Sequence, residues 1–287
     1  MIKKIKLYAD LIKFEHTIFA IPFVLAAVFI VEKGLPSWDK IFWIIVAAVA
    51  GRTAGMAFNR FFDLPFDKLN PRTKDWASAS GAVKAGEILA LAIVSSGVLV
   101  FAAYQLNKLA FYLSPVAIAL LIIYPLGKRW TNFVHLILGA VYFIIPIAVS
   151  IALEGRVEIS TVFLGLGMAF WVAGFDIFYA LQDIEFDRKM GIHSIPARFG
   201  VKKAILFARI FHILTFIFLL LTGYFAGLGL IYYIGLLILT GALIYEHSLI
   251  KENDLSKINV AFFTINGYIS ILYMVFVILD VYLKITL

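Results

Sequence analysis

The sequence predicts an all-α protein that crosses a membrane many times, and two observations carry this prediction. Hydrophobic residues make up 63% of the 287 residues, and the mean hydropathy is +0.97, whereas soluble domains are nearer half apolar. The chain also contains many stretches of about 20 mostly apolar residues, the length that a helix needs to cross a bilayer. The lipid bilayer is therefore the first expected partner.

We expect nine transmembrane helices within one domain that covers residues 1–287. Prolines inside these stretches are compatible with spanning helices, because neighbouring helices satisfy the freed backbone groups. No small-residue cleavage site follows the first apolar stretch, so we expect it to remain as a membrane helix. The expected spans are residues 16–32, 40–61, 86–106, 110–126, 133–153, 160–182, 203–223, 227–247 and 260–283.

The basic residues predict the orientation of the chain. Lys and Arg concentrate at the N-terminus and in the loops on the same side, among them three long polar loops at about 63–85, 183–202 and 248–259. Cytoplasmic loops carry such an excess, so we expect a multi-pass protein of the cytoplasmic (inner) membrane with its N-terminus inside. The net charge of +7 is accounted for in this way, and no nucleic-acid partner is expected.

Two acidic motifs end two of the expected helices. The first, NRFFDLPFD, contains Asn59, Asp63 and Asp67. Residues spaced i,i+4 share one helical face, so these three side chains form a row. Four spans separate this motif from the second one, which places both at the same membrane face.

The second motif, DIFYALQDIEFD, repeats this pattern. Tyr179, Asp183 and Asp187 form an i, i+4, i+8 row, with Asp176 one turn earlier. Asp183 and Asp187 each follow their counterparts in the first motif by 120 residues. Ordinary interfacial acids at a helix end have no need of such rows.

Carboxylate oxygens from two converging pairs are suitable ligands for hard divalent cations such as Mg²⁺. In a membrane protein, such ions would serve to hold an anion, and a pyrophosphate is the expected one. Metal ions there would make pyrophosphate a good leaving group. A cation transporter is the alternative from another class of protein, although these acids lie at one face and not at the membrane midplane.

Several basic residues are candidates for binding the anionic substrates, since Arg suits bidentate phosphate contact. Near the N-terminus, Lys13 and His16 share one helical face and could meet a small anionic acceptor. Each could instead be an interfacial anchor or part of the charge bias. The remaining candidates are Arg60, Arg72, Lys74, Arg188 and Arg198, with Lys128 and Arg129 of YPLGKRWT.

The order of motifs NRxxDxxxDxxNPRT, YPxxKRxT and DxxYxxxDxxxD resembles the UbiA superfamily of intramembrane aromatic prenyltransferases, across nearly the whole chain. It is most similar to the 4-hydroxybenzoate polyprenyltransferase branch, or to the related futalosine-route enzyme. The resemblance implies nine helices around a central cavity with a cytoplasmic cap. It implies Mg²⁺-dependent transfer of a polyprenyl group from an allylic polyprenyl diphosphate to 4-hydroxybenzoate, ortho to its hydroxyl, in quinone biosynthesis. A dihydroxynaphthoate acceptor in menaquinone biosynthesis is the alternative.

The resemblance also implies roles for individual residues. Asn59, Asp63 and Asp67 would hold Mg²⁺-pyrophosphate from one side, and Asp183 and Asp187 from the other. Tyr179 and Asp176 match the other polar positions of the second motif. Lys13 matches a basic position facing the aromatic acid, and Lys128 and Arg129 match a basic pair near the acceptor or diphosphate.

One segment departs from the family pattern. After NPRT the family usually continues with an Arg and a Pro where this chain has Trp76 and Ala79. If that Arg binds diphosphate, Lys74 could substitute only as a point charge. Weaker donor binding or an altered cap loop is the expected consequence.

Overall fold

The computed structural model describes residues 2–13 and 19–283, and the regular secondary structure of these residues is helical. Eight helices are long and apolar enough to cross a membrane, which confirms the predicted fold class. The expected first span, 16–32, lies partly outside the described residues, and its described part is the 12-residue helix Ile21–Glu32. The helix count is therefore eight spanning helices and one shorter apolar helix among the described residues.

The helices are α1 (Ile2–Leu11), α2 (Ile21–Glu32), α3 (Trp38–Asp67), α4 (Ala85–Leu106), α5 (Lys108–Gly127), α6 (Val134–Glu154), α7 (Ile159–Ala180), α8 (Ile184–Met190), α9 (Ile195–Ala226), α10 (Leu230–Leu249) and α11 (Asn266–Leu283). A 3₁₀ turn, Leu181–Asp183, joins α7 to α8, and a π-helical turn, Val260–Ile265, precedes α11. Most connections are short, whereas α3 and α4 are joined by the longer segment 68–84.

Helix α7 packs between α6 and α9, and small residues allow the close approach. A Cβ at Gly139 of α6 would lie 2.7 Å from the Ala169 carbonyl oxygen of α7, and a Cβ at Gly165 would meet the Phe143 carbonyl of α6. Small residues at helix contacts are the usual means of close packing inside a bilayer. Further along, the Phe23 ring of α2 lies 4.9 Å from Trp171 and 4.8 Å from Tyr273, so aromatic rings join α2, α7 and α11.

Helix α3 runs six residues past the end expected from the sequence and reaches Asp67. Both acids of the first motif therefore lie in a helix, and their i,i+4 spacing puts them on one face. Residues 68–84 then form a series of turns. Thr73 Oγ1 donates a hydrogen bond of 2.9 Å to the Asp67 carbonyl, which holds this segment against the end of α3.

The expected loop 183–202 is mostly helical. Ser194 caps α9, because its Oγ accepts a hydrogen bond from Ala197 N and Pro196 fits the first helical turn. Gly200 interrupts the helix with a φ of +79°, a conformation that glycine tolerates best. Between α8 and α9 the chain turns at Gly191, whose φ is +67°, and this turn keeps Asp187 and Ser194 close together.

A buried carboxylate fixes the start of α10. Asp280 of α11 accepts hydrogen bonds from Gly229 N (2.6 Å) and Tyr232 N (3.0 Å). These backbone groups belong to the first turn of α10, where amides lack partners within the helix. Asp280 therefore caps a neighbouring helix.

Candidate functional site

A cavity of about 460 Å³ opens among the helices and is lined by residues of both acidic motifs. Its polar end is formed by the last turns of α3 and α7, by α8 and by the segment 68–84. All seven acidic-motif residues expected to act in catalysis line it: Asn59, Asp63, Asp67, Asp176, Tyr179, Asp183 and Asp187. The structure thus brings the two motifs to one place.

The aspartates of the first motif are buried and face cations. Lys128 Nζ lies 2.6 Å from Asp63 Oδ1, and Arg60 Nη1 lies 3.7 Å from Asp67 Oδ2. Neither contact has the geometry of a hydrogen bond. Asp63 Oδ1 and Asp67 Oδ2 therefore form ion pairs but accept no hydrogen bond. Arg60 is itself held by the Leu11 carbonyl, 3.2 Å from its Nε.

Arg72 connects the two motifs across the cavity. Its Nε donates to Asp183 Oδ1 (3.0 Å), its Nη2 donates to Asp183 Oδ2, and its Nη1 donates to Tyr179 Oη (2.8 Å). Asn70 adds a hydrogen bond of 2.9 Å from Nδ2 to Asp183 Oδ1. Burial alone would lower the pKa of Arg72, but the hydrogen bonds and charges of Asp183 and Tyr179 raise it above its ordinary value. Arg72 therefore stays charged throughout the physiological pH range.

The other two aspartates of the second motif have neutral partners. Asp187 Oδ2 accepts a hydrogen bond of 3.1 Å from Ser194 Oγ. Asp176 Oδ2 lies 2.7 Å from Nδ1 of the buried His135. Because His135 Nε2 accepts from Ile195 N at 3.4 Å, its Nδ1 carries the proton and donates to Asp176.

The described cavity wall carries five aspartates and five Lys or Arg side chains. This balance avoids the high cost of unpaired charge in a low-dielectric site. An anionic ligand entering here would need accompanying cations to keep it. The charged lining residues are Asp63, Asp67, Asp176, Asp183 and Asp187 on one hand and Lys13, Arg52, Arg60, Arg72 and Lys128 on the other.

The donor set suits a hard divalent cation. Asp63 Oδ1 and Asp67 Oδ2 are buried carboxylate oxygens that accept no hydrogen bond, and oxygen is the ligand that Mg²⁺ prefers. Within residues 2–13 and 19–283, no three acidic or imidazole side chains are grouped closely enough to hold an ion by themselves. A cation here would therefore need further oxygens from a bound ligand, which is how Mg²⁺ often binds with phosphates.

The predicted basic residues divide into two groups. Lys13, Arg60, Arg72 and Lys128 line the cavity. The structure does not bring the other four to the cavity wall. Arg129 donates to the Phe62 carbonyl and Arg188 donates to the Ala197 carbonyl, whereas Lys74 and Arg198 are exposed. These four hold helix ends or face solvent. His16 lies outside the described residues.

Trp76, which stands where the family usually has Arg, packs against cations. The Arg60 guanidinium lies 4.0 Å from its ring centroid, and Lys13 Nζ and the Arg72 guanidinium lie 5.4 Å away. The ring is thus a cation–π partner. It stabilises cations of neighbouring residues, whereas the usual Arg would itself add a positive charge. Ala79 is buried in the following turn.

Sequence reasoning missed several residues of the cavity wall. Arg52 lies two turns before Asn59 on α3, and its Nε is buried without a hydrogen-bond partner. Tyr124, Tyr142 and His135 line the same region. The spacing of Arg52, Asn59 and Asp63 along one helix was the signal that could have found Arg52.

From the polar end, the cavity extends between apolar helix faces. Its wall follows α3 from Asp63 back to Ile44, about 28 Å at 1.5 Å per residue. Small side chains such as Ala103, Ala110 and Ala152 line this apolar arm. The cavity therefore suits a ligand with a charged head and a long apolar chain.

Comparisons with known proteins agree on one family. A sequence model of the UbiA prenyltransferase family matches residues 20–268. A 4-hydroxybenzoate octaprenyltransferase of Vibrio parahaemolyticus serotype O3:K6 is 31% identical over 236 residues, which cover 80% of this chain and 82% of the relative. Another of the same name, from Alcanivorax borkumensis, is 34% identical over 206 residues, or 70% and 69% of the two chains.

Solved structures share the fold. The apo structure of a UbiA homolog from Aeropyrum pernix K1 matches with a TM-score of 0.80 at 27% identity, covering 94% of this chain and 98% of the other. A UbiA homolog from Archaeoglobus fulgidus, bound to GPP and Mg²⁺, matches with a TM-score of 0.69 at 17% identity, covering 96% and 99%. At 17% identity, the second match shows only that the two proteins share a fold.

Proposed function

Because this chain belongs to the UbiA prenyltransferase family, we propose that it transfers a polyprenyl group from an allylic polyprenyl diphosphate to 4-hydroxybenzoate, ortho to the hydroxyl, in quinone biosynthesis. One observation carries the proposal: both aspartate pairs meet, with their cations, at the polar end of a cavity whose other end is apolar. Relatives are named for octaprenyl transfer to 4-hydroxybenzoate, and a protein of this fold binds GPP with Mg²⁺.

The aspartates are the proposed metal ligands. Asp63 and Asp67 on one wall, and Asp183 and Asp187 on the other, would hold Mg²⁺, which would offset the charge developing on the leaving diphosphate. The cations that now pair with these acids, Arg60, Arg72 and Lys128, are the proposed diphosphate contacts. Asn59 and Tyr179 complete the polar wall.

The chain's other residues protect and direct the reaction. The C–O bond breaks with its electron pair on the diphosphate, and the resulting allylic cation lies among aromatic rings that stabilise it by cation–π contact. The ring carbon of the acceptor then forms the new bond and loses its proton. We assign this proton to Asp176, the cavity carboxylate outside the metal set, which His135 holds in place.

Arg52 is the proposed anchor of the acceptor carboxylate. It is a cavity-lining guanidinium with a buried, unpartnered Nε, and Arg matches a carboxylate with two parallel hydrogen bonds. Arg52→Gln should raise the KM for 4-hydroxybenzoate about tenfold or more, while the KM for the diphosphate stays the same. Arg52→Lys should restore the KM for 4-hydroxybenzoate only in part, because Lys keeps the positive charge but cannot form two parallel hydrogen bonds with a carboxylate. Equal effects on both KM values would contradict this role.

The whole chain, 1–287, is proposed to act as one domain in the cytoplasmic (inner) membrane, with the cavity mouth at the cytoplasmic face. The excess of Lys and Arg in the loops on that side supports this orientation. The diphosphate would then enter from water, and its apolar tail would remain in the bilayer.

The proposal is tested with purified protein in detergent, Mg²⁺, a polyprenyl diphosphate and 4-hydroxybenzoate. We expect mass spectrometry to find the prenylated acid and EDTA to abolish it. Asp63→Asn and Asp183→Asn should each reduce turnover at least about 100-fold, and Glu252→Gln, at an exposed loop acid, should not. If product formed only with a dihydroxynaphthoate, the acceptor would be that compound and the enzyme would act in menaquinone biosynthesis. Inactivity with every aromatic acid, combined with ion flux in liposomes, would favour a transporter.

A further inference from the structure

A buried polar network lies outside the cavity, and no step of the proposed reaction uses it. Its centre is Asn266, the first residue of α11, whose side chain is fully buried. Asn266 Nδ2 donates to Glu246 Oε1 (2.8 Å) and to the Ala261 carbonyl (3.0 Å), and its Oδ1 accepts from Trp171 Nε1 (2.7 Å). Three hydrogen bonds thus join α7, α10 and the π turn. A buried ionisable residue within a membrane-spanning helix, such as Glu246 in α10, usually marks a function.

The network holds the π turn, Val260–Ile265. Such turns are rare, and they frequently lie at functional sites. Asn266 Nδ2 binds the carbonyl of Ala261 inside this turn, and Glu246 and Trp171 fix the position of Asn266. Glu246 is fully buried, and its Oε2 accepts no hydrogen bond. The groups facing it are Asn266 and His212, whose Nδ1 is 3.9 Å away and hydrogen-bonds His247.

The π turn presents Phe262 to the cavity. The Phe262 ring stacks on Tyr179, with centroids 4.3 Å apart and 30° between the planes, and contacts Phe175 edge-on at 5.2 Å. Tyr179 Oη in turn accepts from Arg72, which binds Asp183. A continuous series of contacts therefore connects Glu246 and Asn266 to the Arg72–Asp183 pair.

We propose that Asn266 and Glu246 are positioning residues for the diphosphate half of the site, acting through the π turn, Phe262 and Tyr179. This inference rests on the proposed function, because it assigns a purpose to the same cavity. The network fixes the position of the Phe262 ring against the Tyr179 ring. Tyr179 then holds Arg72 where the guanidinium can reach a diphosphate. Arg52, the proposed anchor of the acceptor, takes part in none of the hydrogen bonds and ring contacts described above for this network.

The test compares two KM values. Asn266→Ala and Glu246→Leu should each raise the KM for the polyprenyl diphosphate about tenfold. The KM for 4-hydroxybenzoate should stay within about twofold of the wild-type value. Glu246→Gln should remain close to wild type, because its side-chain carbonyl accepts the same hydrogen bond from Asn266. Asp280→Ala is the matched control: it removes a buried polar contact from the same helix at a distance from the cavity, so it should lower the thermal midpoint and change neither KM.

A double-mutant cycle separates positioning from general damage. Phe262→Ala should raise the diphosphate KM, and adding Asn266→Ala should raise it little further, since both act through one ring. Fully additive effects would overturn the proposal. So would a loss of turnover in Asn266→Ala with both KM values unchanged, the result expected of a purely structural residue.

A binding measurement keeps this inference separate from the identity of the reaction. Calorimetry with Mg²⁺ and inorganic pyrophosphate needs no turnover, and Asn266→Ala should bind this pair about tenfold more weakly than wild type. Weaker binding in a protein that prenylates no aromatic acid would refute the proposed function and retain the positioning role. Unchanged binding in an active enzyme would refute the positioning role alone.

Discussion

Trp76 is the residue whose chemistry differs most from the family pattern, and its contacts explain how the site keeps its charge. Its ring lies 4.0 Å from the Arg60 guanidinium. Arg60 is buried and faces Asp67 at 3.7 Å, so the ring supports a cation that would otherwise be poorly held on that side. A cation–π contact in a desolvated place contributes about 2 kcal/mol.

Replacement of Trp76 should therefore weaken binding of the diphosphate. We expect Trp76→Ala to raise the KM for the polyprenyl diphosphate about tenfold, because Arg60 loses its support. Trp76→Phe keeps an aromatic face and should raise this KM much less. Steady-state kinetics with both substrates provide the measurement. If Trp76→Ala matched wild type, the ring would have no part in placing Arg60.

At the scale of single residues, the sequence predicted the acids better than their partners. The positions of Asp63, Asp67, Asp183 and Asp187 at the cavity wall were predictable because their spacing repeats between the two motifs and because ionisable residues inside membrane helices are rare. Asn70 and His135 were not, since each contacts an aspartate from a different part of the chain. Such contacts depend on tertiary packing, which local spacing does not encode.

At the scale of helices, backbone contact between α6 and α7 places the second acidic motif. At Gly165 an added Cβ would meet the Phe143 carbonyl, whereas at Gly97 in α4 it would meet nothing within 4 Å. A methyl group at the first position must push two helices apart, and such overpacking costs about 1–3 kcal/mol. The same methyl group at the second position faces open space.

Two alanine variants test this packing directly. Gly165→Ala should lower the thermal midpoint of the purified protein by several degrees and reduce activity, because α7 carries Asp176 and Tyr179. Gly97→Ala should leave the midpoint unchanged or raise it slightly, since Ala favours a helix by about 0.5–1 kcal/mol over Gly. Thermal unfolding in one detergent compares the two. Similar effects of both variants would show that α6 and α7 tolerate separation.

Helices as elements were predictable from hydropathy, but their ends and irregular turns were not. The extension of α3 to Asp67 includes Pro65 and two charged residues. A prediction from composition alone therefore places the end of this helix too early. The residue that follows the π turn Val260–Ile265, Asn266, donates a hydrogen bond to Glu246 of α10 and accepts one from Trp171 of α7, and such tertiary contacts cannot be seen in local sequence. The resemblance to the UbiA family and the all-α membrane fold are confirmed.

At the scale of the whole molecule, the charge balance of the cavity predicts that metal and diphosphate bind together. Lys128 and Arg72 pair with Asp63 and Asp183, so a divalent cation alone must compete with them. We expect Mn²⁺, followed by electron paramagnetic resonance, to bind weakly to the protein alone and at least about tenfold more tightly with pyrophosphate. Lys128→Met should strengthen Mn²⁺ binding in the absence of pyrophosphate, and Lys202→Met, at an exposed position, should not. Tight Mn²⁺ binding to the wild-type protein alone would contradict this coupling.

The orientation of the molecule can be tested cleanly because the chain contains no cysteine. Ser80 is exposed in the segment next to the cavity mouth, and Ser37 is exposed just before α3. Helix α3 joins these two regions, so they lie on opposite sides of the membrane. The excess of Lys and Arg predicts that the side with Ser80 faces the cytoplasm.

Labelling with a membrane-impermeant maleimide should therefore distinguish two single-cysteine variants in right-side-out vesicles. Ser37→Cys should react at once, and Ser80→Cys should react only after the membrane is made permeable. Both should react in detergent, which controls for accessibility. The reverse pattern would place the cavity mouth outside, where a cytoplasmic polyprenyl diphosphate could not reach the aspartates, and it would therefore contradict both the orientation and the proposed route of the donor.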